Sequence, residues 1–201
     1  MKTNVMRLFN LIIALFLAVP YLGCSEGNKA VFVDPRDRQT YEVIAIGSQE
    51  WLGSDLYFET PNSYCYDLKS ENCVKYGRLY TYDDAKIACP QGWRLPTEMD
   101  WQKLEKELGM RENELDSIRV WRGTQEGKLL INKLGIEFGG FGKSKGSDFM
   151  GKDQLVYYWA DTPGPSGSQF SMYRMFSKKT SKIYSDQVPK NDLCCIRCIK
   201  N

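Results

Sequence analysis

Histidine is absent from all 201 residues, and that one absence removes several chemistries together. It excludes Ser-His-Asp and Cys-His pairs, zinc sites built on imidazole, and the side chain that most often serves as general base near neutral pH. Catalysis is left to carboxylates, lysine, tyrosine or cysteine. An excess of positive charge is missing as well. Of the 27 Lys and Arg, Lys2 and Arg7 lie in the leader, which leaves 25 against 25 Asp and Glu. A chain balanced in this way lacks the basic face that a nucleic-acid partner requires. A hydrophobic run of membrane-spanning length is missing too, since the apolar stretch at residues 8–19 falls short of the ~20 residues a helix needs to cross a bilayer.

That short run is flanked by Lys2 and Arg7 on one side and by Gly23-Cys24 on the other, the pattern of an export signal over residues 1–23. Tyr21-Leu22-Gly23-Cys24 resembles a bacterial lipobox, with Tyr21 where an aliphatic residue is usual. The resemblance implies lipidation at Cys24, a membrane partner through that lipid anchor, and a location in the bacterial cell envelope, at the outer membrane or cell surface. The alternative is an ordinary cleaved signal. Residues 24–33 read as a tether and residues 34–201 as one globular domain, long enough to build a core.

Setting Cys24 aside leaves six cysteines, an even set in an exported chain, for which disulfides are the default reading. Cys65 and Cys73 bracket a short, turn-rich segment and are expected to pair. Cys89 is expected to join one of the three C-terminal cysteines, with Cys198 preferred. Cys194 and Cys195 then form a vicinal disulfide or remain as buried thiols. A structural role is favoured over a redox one, because reactive cysteines need a basic, exposed setting.

The most informative stretch is residues 89–101, where a cysteine, two prolines and two tryptophans lead into a helix. Thr97 reads as its N-cap and Glu98 and Asp100 as first-turn carboxylates complementing the dipole. This accounts for both acids without a catalytic pair. Trp101, Leu104 and Leu108 then form an apolar stripe, and Gly109 ends the helix. A second helix is expected from the N-cap Thr81, with Asp84 three residues on, to Pro90. Residues 41–47 and 51–56 read as a hairpin, and residues 111–133 as a charged segment with a short helix or loop. Strands are expected near residues 157–160, 170–176, 182–186 and 193–199, with Met172, Arg174 and Phe176 on one face. The fold class is α+β: two helices with small antiparallel sheets and long loops.

Residues 41–52, Cys65-Tyr66, Cys73, residues 76–82 and 88–97, and Ile196-Arg197-Cys198-Ile199 closely resemble, in order, the Fibrobacter succinogenes major paralogous domain. That resemblance implies an exported, often lipid-anchored protein and carries no reaction. Arg94-Leu95-Pro96-Thr97 through Trp101, with Arg197-Cys198, more distantly resembles the formylglycine-generating enzymes, whose domain is related to C-type lectins. It implies a lectin-like frame in which the N- and C-terminal strands pair, a topology that suits a Cys89–Cys198 bridge. The catalytic cysteine pair of those oxidases is not matched, since residues 169–174 contain no cysteine. An enzyme of that type would have to use Cys194 and Cys195. The lectin calcium motifs are also missing, with Asp161 after Trp159 the nearest echo, so no cofactor is expected and calcium has no motif in its support.

The function expected is a non-catalytic binding module for a saccharide or protein ligand, with a structural or adhesion role as the alternative. Phe141, Asp148, Phe149 and Asp161 are the candidate ligand-binding residues, on loops at residues 139–152 and 161–168. Tyr157, Tyr158 and Trp159 offer flat faces as well, and are read as core because strand aromatics mostly fill packing space.

Overall fold

A computed structural model describes residues 30–201, so the segment expected to be an export signal, the expected lipidation site Cys24 and most of the expected tether lie outside the described residues. In chain order the elements are β1 (Val31–Val33), β2 (Thr40–Ile46), β3 (Gln49–Leu52), β4 (Ser63–Tyr64), α1 (Ser70–Tyr76), β5 (Leu79–Tyr80), α2 (Tyr82–Ala88), β6 (Trp93–Arg94) and α3 (Glu98–Glu107). The second half adds α4 (Glu112–Leu115), β7 (Trp121–Arg122), α5 (Glu126–Leu134), β8 (Phe141–Lys143), β9 (Ser147–Met150), β10 (Leu155–Pro163), β11 (Phe170–Ser177), β12 (Ile183–Pro189) and β13 (Ile199–Lys200). The class is α+β. A five-stranded sheet has the order β1-β2-β3-β13-β6, a four-stranded sheet the order β10-β11-β12-β7, and β4–β5 and β8–β9 form two small ribbons.

Four sequence expectations are corrected. Five helices replace two among the described residues. The added helices are short or carry mixed polarity: α5 turns only Leu130 and Leu134 fully inward from its apolar side, and α1 is folded into the disulfide loop. Gly127 of α5 shows why that helix fits where it does, since a Cβ there would lie 2.6 Å from the carbonyl oxygens of Ser181 and Lys182. The folded domain begins earlier than residue 34, because Val31–Val33 pairs with β2 as an edge strand. Thr81 makes no side-chain capping bond; Asp84 is drawn instead to the loop at residues 60–62. The final segment is a regular strand only at Ile199–Lys200, with Cys194 and Cys195 held by single bridges to Tyr80 and Tyr158.

The helix that follows Thr97 organises the interior as its sequence implies. Thr97 accepts from the Asp100 backbone while the Asp100 carboxylate accepts from the Thr97 backbone, a closed capping box. Trp101 then lies 4.9 Å from Trp51 of β3, 5.8 Å from Tyr158 of β10 and 6.3 Å from Phe176 of β11, ring centre to ring centre. One side chain thus joins both large sheets. Strand β11 is buried on both faces: Met172 and Phe176 enter the core beneath α3, and Tyr173 and Met175 enter a second core that contains Ala85 and Ala88 of α2. Fully burying a large apolar side chain contributes roughly 1.5–3 kcal/mol, so the two layers hold the β10–β12 sheet against separate partners.

Candidate functional site

Most of the charged residues of the interior are engaged by one another; Asp84 and Glu126 accept from backbone and hydroxyl groups instead. Asp55 and Arg197 form a fully buried pair in which all five guanidinium N–H groups find an acceptor: Asp55, Tyr158, and the carbonyls of Leu52 and Leu134. Burial pushes the Asp55 carboxyl up, against the opposing pull of Arg197 and Tyr158. Arg94 clamps Asp100 at 2.6 and 2.9 Å. Burial works against the Asp100 carboxylate, but the bonds from Arg94 and Thr97 outweigh it and hold its pKa below the usual range. Glu98 accepts from Arg174 at 2.6 Å. Glu98 and Asp100 are therefore both bound by arginine.

The disulfides join Cys65 to Cys73 and Cys89 to Cys198. Cys194 and Cys195 are free and buried, which rules out the vicinal bond, and burial raises both thiols well above their ordinary pKa. A thiolate there is disfavoured, so neither is a ready nucleophile. In the leader-free chain, residues 25–201, a disulfide-type thiol reagent is expected to label neither thiol in buffer and both in denaturant. Labelling in buffer would overturn this reading.

Three of the four proposed ligand-binding side chains are engaged by protein. Phe141 stacks on Tyr157 at 4.3 Å and Phe149 on Tyr66 at 5.1 Å. Asp161 accepts from the Tyr82 hydroxyl at 2.5 Å. Asp148 is exposed, at φ 48° on β9. Tyr158 and Trp159 are core, as expected. The hairpin that carries Phe141, Asp148 and Phe149 nevertheless borders a site, through its tip: Ser144 and Lys145, with Asn62, Tyr64, Asp83 and Asn191, line a hollow of about 320 Å³.

Each wall of that hollow is fixed from behind. Ser63 and Tyr64 pair with β5, and Thr60 and Ser63 bond each other across a tight turn. Asp84 accepts from the Asn62 backbone and from the Thr60 hydroxyl, binding this turn to α2. The disulfide Cys65–Cys73 and Arg78, which donates to the Ser63 hydroxyl at 3.0 Å, brace the same wall. On the far side Leu193 and Gly142 exchange backbone bonds of 2.9 and 3.0 Å, and Lys143 pairs with Asp192. Asn191 is thereby held beside the hairpin. At the tip, Lys145 and Gly146 take left-handed backbone, and a Cβ on Gly146 would lie 2.8 Å from the Tyr64 ring. Such conformations cost of order 1 kcal/mol at a non-glycine residue and concentrate at ligand sites.

The side chains of Asn62, Asp83, Lys145 and Asn191 are exposed and make no hydrogen bond or ion pair among the described residues. Two carboxamides, a carboxylate and an ammonium thus face one hollow with their bonding capacity unspent, beside one phenol ring. No signal in the sequence could have joined them, since they come from three separate loops and the first turn of α2. Among the described residues no group of three or more His, Cys, Asp or Glu could hold a metal ion.

No curated protein and no solved structure matches the chain. Residues 36–200 match the family model of the Fibrobacter succinogenes major domain, and the chain belongs to that family.

Proposed function

We propose that this protein is an exported, lipid-anchored binding module of the bacterial cell envelope that holds a saccharide in the hollow at Tyr64 and does not transform it. The observation that carries the reading is the set Asn62, Asp83, Lys145 and Asn191, polar groups without partners around about 320 Å³. A ligand that satisfies them must present donors and acceptors densely, carry little net charge and offer an apolar face to one ring. A pyranose meets all three conditions. The engagement of the interior carboxylates by arginine supports the non-catalytic part. A C-type-lectin-like frame is part of the same proposal, and the pairing of β13 with β3 supports it.

The test is a glycan array probed with the leader-free chain, followed by calorimetry on the best ligand. Asp83→Ala and Asn191→Ala are each expected to weaken binding about tenfold, the value of ~1–1.5 kcal/mol for a hydrogen bond. Both positions are exposed, so the fold is expected to be unchanged. A chain that binds no glycan and co-purifies with an envelope protein points to an adhesion role instead and overturns the saccharide assignment.

A further inference from the structure

A chain with balanced charge still carries one region where cations gather without anions. Lys128 of α5 and Lys178 and Lys179 of the turn after β11 surround a hollow of about 360 Å³ whose floor includes Ile131 and Phe138. Lys182 follows on the same turn. None of these four lysines forms an ion pair among the described residues; four other lysines, Lys75, Lys106, Lys143 and Lys200, do, and the rest are unpaired singly rather than gathered at one hollow. The carboxylates that feel the cluster are occupied elsewhere. Glu114 is bonded to Arg111, and Asp153 to Tyr76 and Lys75. Glu137, next to Phe138, lines the slot over Asp55 instead.

The turn holds its lysines outward by its own bonding. The Ser177 hydroxyl accepts from the Lys179 backbone and the Thr180 hydroxyl from the Lys182 backbone, both at 3.2 Å, and the Lys128 backbone N–H donates to the Ser181 carbonyl. Lys178 also lies 5.0 Å over the Phe138 ring. Like charges held together with no counter-charge weaken folding slightly, and they raise the local concentration of anions.

The entry point of the chain indicates which anion. Val43 donates to the Ala30 carbonyl, and Gly53, just past β3, donates to Glu42 on the same strand. Gly135, which ends α5, sits against Gly53, with a Cβ there only 3.4 Å from the Gly53 oxygen. The start of the folded domain therefore lies two strands away from the C-terminal end of α5, whose first turn carries Lys128. Residues 25–30 reach at most about 20 Å when fully extended, so a lipid on Cys24 keeps this side of the domain near the bilayer.

We propose that the ammonium rim of Lys128, Lys178 and Lys179 seats the domain on the phosphate headgroups of the membrane to which the chain is anchored. The proposal rests on the anchoring reading for its orientation. It leaves the hollow at Tyr64 free to meet a saccharide.

The test is co-sedimentation of the leader-free chain, which retains every residue of both cores, with vesicles of phosphatidylcholine alone or of equal parts phosphatidylcholine and phosphatidylglycerol. Binding is expected to the anionic vesicles only, and to vanish near 1 M salt, where the screening length is about 3 Å. Replacing Lys128, Lys178 and Lys179 with Gln is expected to lower partitioning about a hundredfold, at roughly tenfold or less per lysine. The same replacement at Lys69, Lys86 and Lys103, exposed lysines outside this hollow, is expected to leave most of it. Equal binding to both vesicle types, or an equal loss in the two triple variants, overturns the proposal. So does displacement by inorganic phosphate at matched ionic strength, which would mark a discrete anion site. Because vesicles carry no glycan and the chain no lipid, failure here leaves the saccharide reading standing, and the reverse.

Discussion

Glu105→Ala is expected to lower the unfolding temperature by roughly 10–15 °C, since breaking a buried ion pair costs about 3–5 kcal/mol and each kcal/mol shifts a domain of this size by roughly 2–4 °C. Glu105 of α3 is fully buried and accepts from two arginines, Arg174 at 2.6 Å and Arg122 at 2.7 Å. Burial works against the Arg174 charge, and Glu105 with Glu98 restores it, holding its pKa above the ordinary value. The cluster already leaves Arg122 Nε and Arg174 Nη2 buried without partners. Removing Glu105 leaves two guanidiniums beside the single carboxylate Glu98. Replacing the trio together, as Glu105→Leu with Arg122→Met and Arg174→Met, is expected to be far milder than Glu105→Ala alone, because the desolvation cost goes with the charges. Calorimetry of the two variants decides it. An unfolding temperature within about 2 °C of the parent for Glu105→Ala would mean that water already solvates this cluster.

That network shows where the sequence was readable and where it was not. The N-cap at Thr97 was legible because the chemistry of a helix start is local, although Asp100, read as an acid complementing the dipole, also closes a capping box with it. The β2–β3 hairpin was legible for a similar reason, with Gly47 at φ 58° in the turn after the β-branched run of β2. Arg174 gave half a signal: an arginine alternating with Met172 and Phe176 on one strand face points to a buried cation. Its partner could not be named, because Glu105 lies 69 positions away, and Arg122 lies 17 from Glu105. The hollow at Tyr64 is harder still. Its polar groups sit on three loops and on α2, and their meeting depends on Asp84, read as part of a helix cap and found clamping the turn at Asn62. Phe141 and Phe149 looked like ligand platforms because they flank a polar loop. They turned inward because a two-stranded ribbon such as β8–β9 must pack its apolar side on something to be stable, and Tyr157 and Tyr66 were within reach.

The second large effect belongs to the bond between Cys89 and Cys198. It closes 109 residues of chain, and a loop of ~100 residues is worth about 4.7 kcal/mol in the chain-entropy account, against ~2.5 kcal/mol for a loop as short as that of Cys65–Cys73. It ties the end of α2 to the residue before β13, whose carbonyl accepts from the Leu52 backbone of the five-stranded sheet. Cys89→Ala with Cys198→Ala is therefore expected to cost more than Cys65→Ala with Cys73→Ala, by about 2 kcal/mol. Urea unfolding separates the causes. If the bond acts on the unfolded chain, its loss lets that chain expand, so the slope of stability against urea rises while the midpoint falls. If the slope is unchanged and the midpoint falls, the lost stability comes from native packing around the fully buried Cys198, and the entropic account is wrong for this protein.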